Sequence, residues 1–194
     1  AMNDIIIKDL CKSFGEKKVL EGFSATFPAG SASCIMAPSG AGKTTLLSIM
    51  QGFTAPDSGS ITGNDVKMSA VFQEDRLCED FGAVSNVRFS CGSGKNKKSK
   101  EEIVACLESL GLGDSLDKPV REFSGGMKRR VAIARALMAD YELLFLDEPF
   151  KGLDGEMRAS VAGYIRTAAA GKTVIAVSHD ETEAELLGAT IIRM

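Results

Sequence analysis

The stretch ASCIMAPSGAGKTTLLSIMQG, residues 32–52, changes character twice. Residues 32–36 form a short apolar run that reads as a buried strand. Pro38, Ser39, Gly40, Ala41 and Gly42 then break the pattern, and from Lys43 a helix is predicted, with Leu46, Leu47 and Met50 on one face. A strand, a glycine loop and a helix in that order can make a phosphate cradle. Gly40 and Gly42 let the backbone curl so that successive N–H groups point inward. The helix start adds its positive end. In such a loop Lys43 reaches the β- and γ-phosphates of a nucleotide and the Thr44 hydroxyl ligates Mg²⁺. Ala37 stands where the strict phosphate-loop pattern has glycine. A plain Gly/Ser turn is the alternative, and the strand-loop-helix setting favours the cradle.

Outward from this stretch, DIIIKDL (4–10) and VLEGFSATF (19–27) read as strands, and GSITG and MSAVF as shorter ones. ELLFLDEP (142–149) and TVIAV are continuous apolar runs, suited to strands covered on both faces of a parallel sheet. A helix is predicted from Ser99, with Ile103, Leu107 and Leu110 on one side, and another after Asp154, carrying Met157, Val161, Tyr164 and Ile165. ATIIRM ends the chain as a strand. Strands alternating with helices indicate an α/β domain with a mainly parallel sheet. A helical stretch, residues 74–138, interrupts the rhythm and is expected to form a subdomain between core pieces 1–73 and 139–194. CGSGKNKKSK (91–100) reads as a basic loop.

The composition narrows the function. With a formal net charge of −3, the 194-residue chain has no global basic field for duplex nucleic acid. No apolar run approaches the roughly 20 residues of a membrane span, and no secretory leader is visible, so the expected compartment is the cytosol. Five scattered cysteines make neither a disulfide framework nor a zinc site, and one histidine excludes a multi-histidine metal site.

Two further motifs carry chemistry. Asp147, at the end of a buried strand, would face Mg²⁺. Glu148 would stand beside the γ-phosphate and polarise an attacking water as general base. EFSGGMKRRVAIARAL (122–137) places Ser124, Gly125 and Gly126 at a helix start that reads as left bare, polar and backbone-exposed to hold an anion. The following Lys128, Arg129 and Arg130 read as a solvated helix face.

The ordered set of motifs resembles the nucleotide-binding subunit of ATP-binding-cassette (ABC) transporters over almost the whole chain: the phosphate loop 37–45, VFQ with Gln73, FSGGM at 123–127, FLDEP at 145–149, GLD at 152–154 and SHD at 178–180. The resemblance implies a P-loop NTPase fold, with an antiparallel β region at the N-terminal side and an inserted helical subdomain. It implies ATP and Mg²⁺ as cofactors, with Ser39, Gly40, Ala41, Gly42, Lys43, Thr44 and Thr45 around the phosphates. Phe14 matches the aromatic that stacks on adenine, with a core phenylalanine as the alternative. Gln73 matches the loop glutamine that ligates Mg²⁺ and senses the membrane subunit. His179 matches the histidine that touches the γ-phosphate. Asp154 matches a residue that shapes the dimer contact, and it also serves as a helix cap.

In that family the Ser124–Gly126 helix start meets the ATP held by a second subunit, so two chains sandwich two nucleotides. Whether the pair is two copies of this chain or this chain with a relative stays open. The expected partners are that second ATPase subunit and separate integral membrane permease subunits, without nucleic acid. The expected place is peripheral, on the inner face of the cell membrane. Met127 replaces the family's usual glutamine and Phe123 the usual leucine. The sequence ends with ATIIRM, and no C-terminal regulatory domain is expected. VFQEDRL (71–77) looks most like the importer branch for nitrate, sulfonate and taurine. A soluble ABC-type ATPase with a non-transport partner is the other reading; such proteins resemble paired cassettes or carry a long coiled coil, neither of which is visible.

Overall fold

The computed structural model describes residues 2–38, 40–92 and 97–194. In chain order the elements are β1 (Ile5–Phe14), β2 (Lys17–Phe27), β3 (Ala32–Met36), α1 (Lys43–Met50), β4 (Ser58–Thr62), β5 (Met68–Val71), α2 (Ala83–Arg88), α3 (Lys100–Ser109), α4 (Gly125–Leu137), β6 (Leu143–Asp147), α5 (Gly155–Ala168), β7 (Thr173–Ser178), α6 (Glu181–Leu187) and β8 (Thr190–Arg193). They form a five-stranded sheet, β5-β6-β7-β3-β8, and a three-stranded sheet, β2-β1-β4. Every pairing in the larger sheet is parallel, and both pairings in the smaller are antiparallel.

The apolar strands are continuous because both faces of the larger sheet are covered. Along β6, Leu143 and Phe145 pack with the antiparallel sheet and α1, beside Ile7, Phe27 and Leu46. Leu144 and Leu146 point the other way, toward Val131, Val161 and Ile165 of α4 and α5. In β7, Ile175 and Val177 join the first cluster and Val174 and Ala176 the second. Alternation with period two thus sends successive residues into two different cores. All four apolar runs read as strands around these cores (β3, β6, β7 and β8) fall where the sequence placed them.

One helix, α6, carries no expectation from the sequence, and α2 is not singled out within the expected helical stretch 74–138. α6 lies inside SHDETEAELLG; Asp180 caps it by accepting from Thr182 N at 2.9 Å, and Gly188 ends it in a left-handed conformation (φ 62°). α2 is short and is tied down by buried Asn86, whose Oδ1 accepts from Cys78 N at 2.8 Å while Nδ2 donates to the carbonyls of Cys78, Phe81 and Gly82. Residues 93–96 of the basic loop lie outside the described residues. The five cysteines are free.

Ser99 starts α3 with a complete capping box: Ser99 Oγ accepts from Glu102 N at 3.1 Å, and Glu102 Oε2 accepts from Ser99 N at 2.8 Å. Ser99→Ala is expected to cost about 1 kcal/mol of stability. Urea denaturation checks it through a lower midpoint at unchanged slope.

Candidate active site

The carboxyl ends of β3, β5, β6 and β7 share one edge of the parallel sheet, and the candidate residues emerge there. That edge is the usual ligand crevice of such sheets. After β3 the loop reaches Gly40 (φ 81°) and Gly42 (φ 93°), left-handed positions that suit glycine. Gly42 also needs to be glycine on space: a Cβ there would lie 2.6 Å from Val19 Cγ1 and 2.9 Å from Val19 O. Ala37 is absent from the left-handed residues, so its methyl group costs the loop no backbone strain. Lys43 opens α1, is buried, and its Nζ donates back to the carbonyls of Ala37 (2.5 Å) and Pro38 (3.1 Å). Gly42 offers no side-chain cap, leaving the first N–H groups of α1 directed into the loop.

A cavity of about 410 Å³ is lined by Phe14, Lys17, Val19, Gly40, Gly42, Lys43, Thr44, Thr45, Gln73, Asp147 and Glu148. Ala41 sits within the loop and is half-buried; Ser39 lies outside the described residues. Phe14 is 53% exposed at the rim, with Lys12 Nζ 5.3 Å from its ring centre, so it is no core phenylalanine. A second cavity, about 440 Å³, shares Lys43, Gln73 and Glu148 and adds Arg158, His179 and Glu183.

The two acids of β6's end differ. Asp147 is buried; burial first, then the neighbouring Glu148 carboxylate, pushes its pKa up, while Arg129 and Lys43 pull it down. Thr44, Gln73 and Asp147 together offer hydroxyl, amide and carboxylate oxygens, the hard donor set that Mg²⁺ takes. A divalent cation would also favour the charged form of Asp147 that burial disfavours. Glu148 has φ 49°, a strained value for a residue with a side chain. Its N–H donates to Val177 O at 3.0 Å, and its carboxylate oxygens lie 3.0 and 3.1 Å from His179 Nδ1.

That contact raises the His179 pKa, through the hydrogen bond to Glu148 first and its charge second; Glu183 adds to the rise, and Lys43 opposes it. The sign is that of a cation gaining a partner: the charged pair exists at low pH and is lost as pH rises through the raised value. As the chain has one histidine, its imidazole signal is free of overlap. The NMR titration of His179 is expected to have its midpoint above the ordinary 6.5, and Glu148→Gln to bring it down. A midpoint unmoved by Glu148→Gln would remove the contact.

Neither cavity is lined by Ser124, Gly125, Gly126 or Asp154. Ser124 and Gly125 are exposed at the start of α4. That start is not bare: Ser124 Oγ accepts from Met127 N, at a long 3.3 Å. Serine is itself a good cap, and a hydroxyl can serve the helix and still donate outward. Gly126 leaves no room for a Cβ, which would meet Gly152 O at 2.9 Å. Asp154 caps α5, its Oδ1 accepting from Met157 N at 2.9 Å.

The reading of residues 128–130 as a solvated face is overturned. Arg129 is 2% exposed. Arg130 donates to the carbonyls of Leu110 (2.8 Å) and Gly111 (3.0 Å), and Lys128 pairs with Glu79 at 2.6 Å. Helical spacing carries the signal for Arg129, which shares the inward stripe with Ile133 and Ala136. Arg158 was also missed; its Nη1 lies 3.0 Å from Asp180 Oδ2 and 3.7 Å from Glu183 Oε1. Glu183 in turn accepts from Ser178 Oγ at 2.5 Å, which braces the turn carrying His179.

The family description "ABC transporter" matches residues 20–151. The chain belongs to the ABC transporter family. This ABC chain is 38% identical over 188 residues to the taurine import ATP-binding protein TauB of Roseobacter denitrificans, covering 91% of this chain and 70% of that protein. It is 40% identical over 190 residues to the Nod factor export ATP-binding protein I of a Rhizobium species, covering 91% and 62%. It superposes with TM-score 0.83 and 26% identity, over 98% of this chain and 94% of the other, on the dimeric post-hydrolysis structure of the ATP-binding cassette MJ0796 bound to ADP and Pi. A taurine-import relative agrees with the resemblance of VFQEDRL to that branch. No helix among the described residues is long and apolar enough to cross a membrane.

Proposed function

We propose that the chain binds and hydrolyses Mg-ATP as one of a pair and energises solute transport through separate membrane permease subunits. The observation that carries this is the meeting, at one sheet edge, of the glycine loop, Lys43, Gln73, Asp147, Glu148 and His179, while Ser124–Gly126 stay outside the pocket. The adenine ring would stack on exposed Phe14. The triphosphate would lie against Gly40–Gly42 and the first N–H groups of α1, with Lys43 moving its ammonium from loop carbonyls to the β- and γ-phosphates. Thr44, Gln73 and Asp147 would hold Mg²⁺, which neutralises charge on the phosphates. Glu148 takes a proton from water as the water oxygen attacks the γ-phosphorus; the bond to the β-γ bridging oxygen breaks, giving ADP and phosphate. His179, held by Glu148 and braced through Ser178, donates to the γ-phosphate.

Ser124, Gly125 and Gly126 would close over the γ-phosphate bound by the second ATPase subunit, with Asp154 at the contact. Residues 74–138 form the helical unit between core pieces 1–73 and 139–194, and with Gln73 face the permease. Exposed aromatics support that docking face: Phe53 (70% exposed) lies 6.4 Å from Phe72, and Phe81 and Phe89 stack edge-on at 5.5 Å. Such a subunit sits on the cytoplasmic side of the membrane. The pairing is tested by measuring ATPase rate per molecule against protein concentration. It should rise with concentration and require Mg²⁺; a rate per molecule independent of dilution would contradict pairing. Co-purification with a membrane permease tests the transport half, and capture only of non-membrane partners would overturn it.

A further inference from the structure

Arg129 lies in the second turn of α4 and its guanidinium uses all five of its N–H donors. Nε donates to Pro149 O at 3.2 Å. Nη1 donates to Phe72 O at 2.5 Å and to Asp75 Oδ1 at 3.0 Å. Nη2 donates to Asp147 O and, at 2.6 Å, to Glu148 O. Four of the five acceptors are backbone carbonyls. Three belong to the turn that carries Asp147 and Glu148, and one to the residue before Gln73.

A buried ion pair is a weak source of net stability, because desolvating a guanidinium costs about what its partners return. The carboxylate hydrogen-bonded to it, Asp75, is partly exposed, and the Asp147 carboxylate also feels its charge. What the arrangement supplies is geometry. Glu148 holds φ 49°, and its main chain is fixed at N–H by Val177 and at the carbonyl by Arg129. A planar fork with five donors satisfies all five acceptors on these two segments at once; a lysine has three donors at a single point.

We infer that Arg129 is a positioning residue, whose guanidinium locks the Asp147–Pro149 turn and the Phe72 carbonyl beside Gln73 to the helix that begins at Ser124–Gly126. The inference rests on the ATPase reading above and deepens it. The start of α4 meets the nucleotide held by the second subunit, and the same helix holds this subunit's general base in place. Seating of one site is thereby felt at the other through one rigid helix and five hydrogen bonds, with no group of Arg129 touching ATP.

The test uses the full chain with Arg129→Lys and Arg129→Gln, and measures kcat, KM for Mg-ATP and the His179 titration. Displacing Glu148 by about 1 Å is expected to lower kcat by roughly 10²-fold, with KM little changed. The His179 midpoint should also fall as its contact with Glu148 loosens. The lysine variant keeps a cation opposite Asp75 and carries the test if the glutamine variant does not fold. Wild-type kcat with a wild-type midpoint would overturn the assignment. So would kcat and nucleotide affinity lost together in step with the folded fraction, or failure of both variants to fold, which would place Arg129 in the fold instead of the site. If the wild-type chain hydrolyses no ATP, the ATPase reading falls, and the His179 midpoint alone still decides whether Arg129 positions Glu148.

Discussion

Glu148→Gln is expected to lower ATP hydrolysis by roughly 10²–10⁴-fold, the usual worth of a general base. The amide matches the carboxylate in shape and cannot take the proton of an attacking water. Binding should survive, because the groups that would grip the triphosphate are the loop N–H groups, Lys43 and Thr44, and none is altered. Glu148 borders the cavity beside Asp147 and contacts His179 at 3.0 Å, so the substitution also removes the charge that favours the imidazolium. With closure intact and turnover blocked, Mg-ATP should accumulate a dimer visible by size exclusion. A variant that hydrolyses at the wild-type rate would take Glu148 out of the mechanism.

Ser124→Arg is the second large expectation. Ser124 and Gly125 are exposed, and neither borders this chain's own cavity. A bulky cation at Ser124 therefore leaves the nucleotide site of the single subunit untouched. It obstructs the surface that would meet the partner's γ-phosphate, and it removes the hydroxyl that would donate to it. Nucleotide affinity measured on dilute, monomeric protein should stay at the wild-type value. Hydrolysis should fall by at least about 10²-fold, comparable to losing a transition-state hydrogen-bond donor. A helix start is worth only about 0.3–2 kcal/mol toward an anion, so one such contact cannot hold a dimer closed. On the proposed pairing, closure would need both nucleotides, so obstruction at this one surface residue should silence turnover. Equal loss of affinity and turnover would mean that FSGGM serves its own pocket.

The sequence carried most of the fold because its signals are local. A strand covered on both faces has to be apolar without interruption, and LLFLD and TVIAV are. Gly40 and Gly42 announce left-handed backbone, and Asp154 and Ser99 announce helix starts that the structure confirms. What stayed hidden depends on contacts between distant segments. No local pattern says that Asn86 will bind three carbonyls of its own loop, or that Arg129 will reach from α4 to Phe72 and Pro149. A run of Lys-Arg-Arg looks solvated when counted as charge, and only its phase against Ile133 sets Arg129 apart. α6 was concealed by polar composition, although Asp180 and Gly188 bracket it with ordinary start and stop residues. The strain at Glu148 has no sequence signature at all, since glutamate seldom adopts φ 49°.

The composite site is tested most directly by a crystal structure of Glu148→Gln grown with Mg-ATP. The expected result is two chains related by a two-fold, each γ-phosphate lying between one chain's residues 40–45 and the other's Ser124 hydroxyl and Gly125–Gly126 N–H groups. A nucleotide-bound structure in which residues 124–126 face solvent, or reach the phosphates of their own chain, would contradict it.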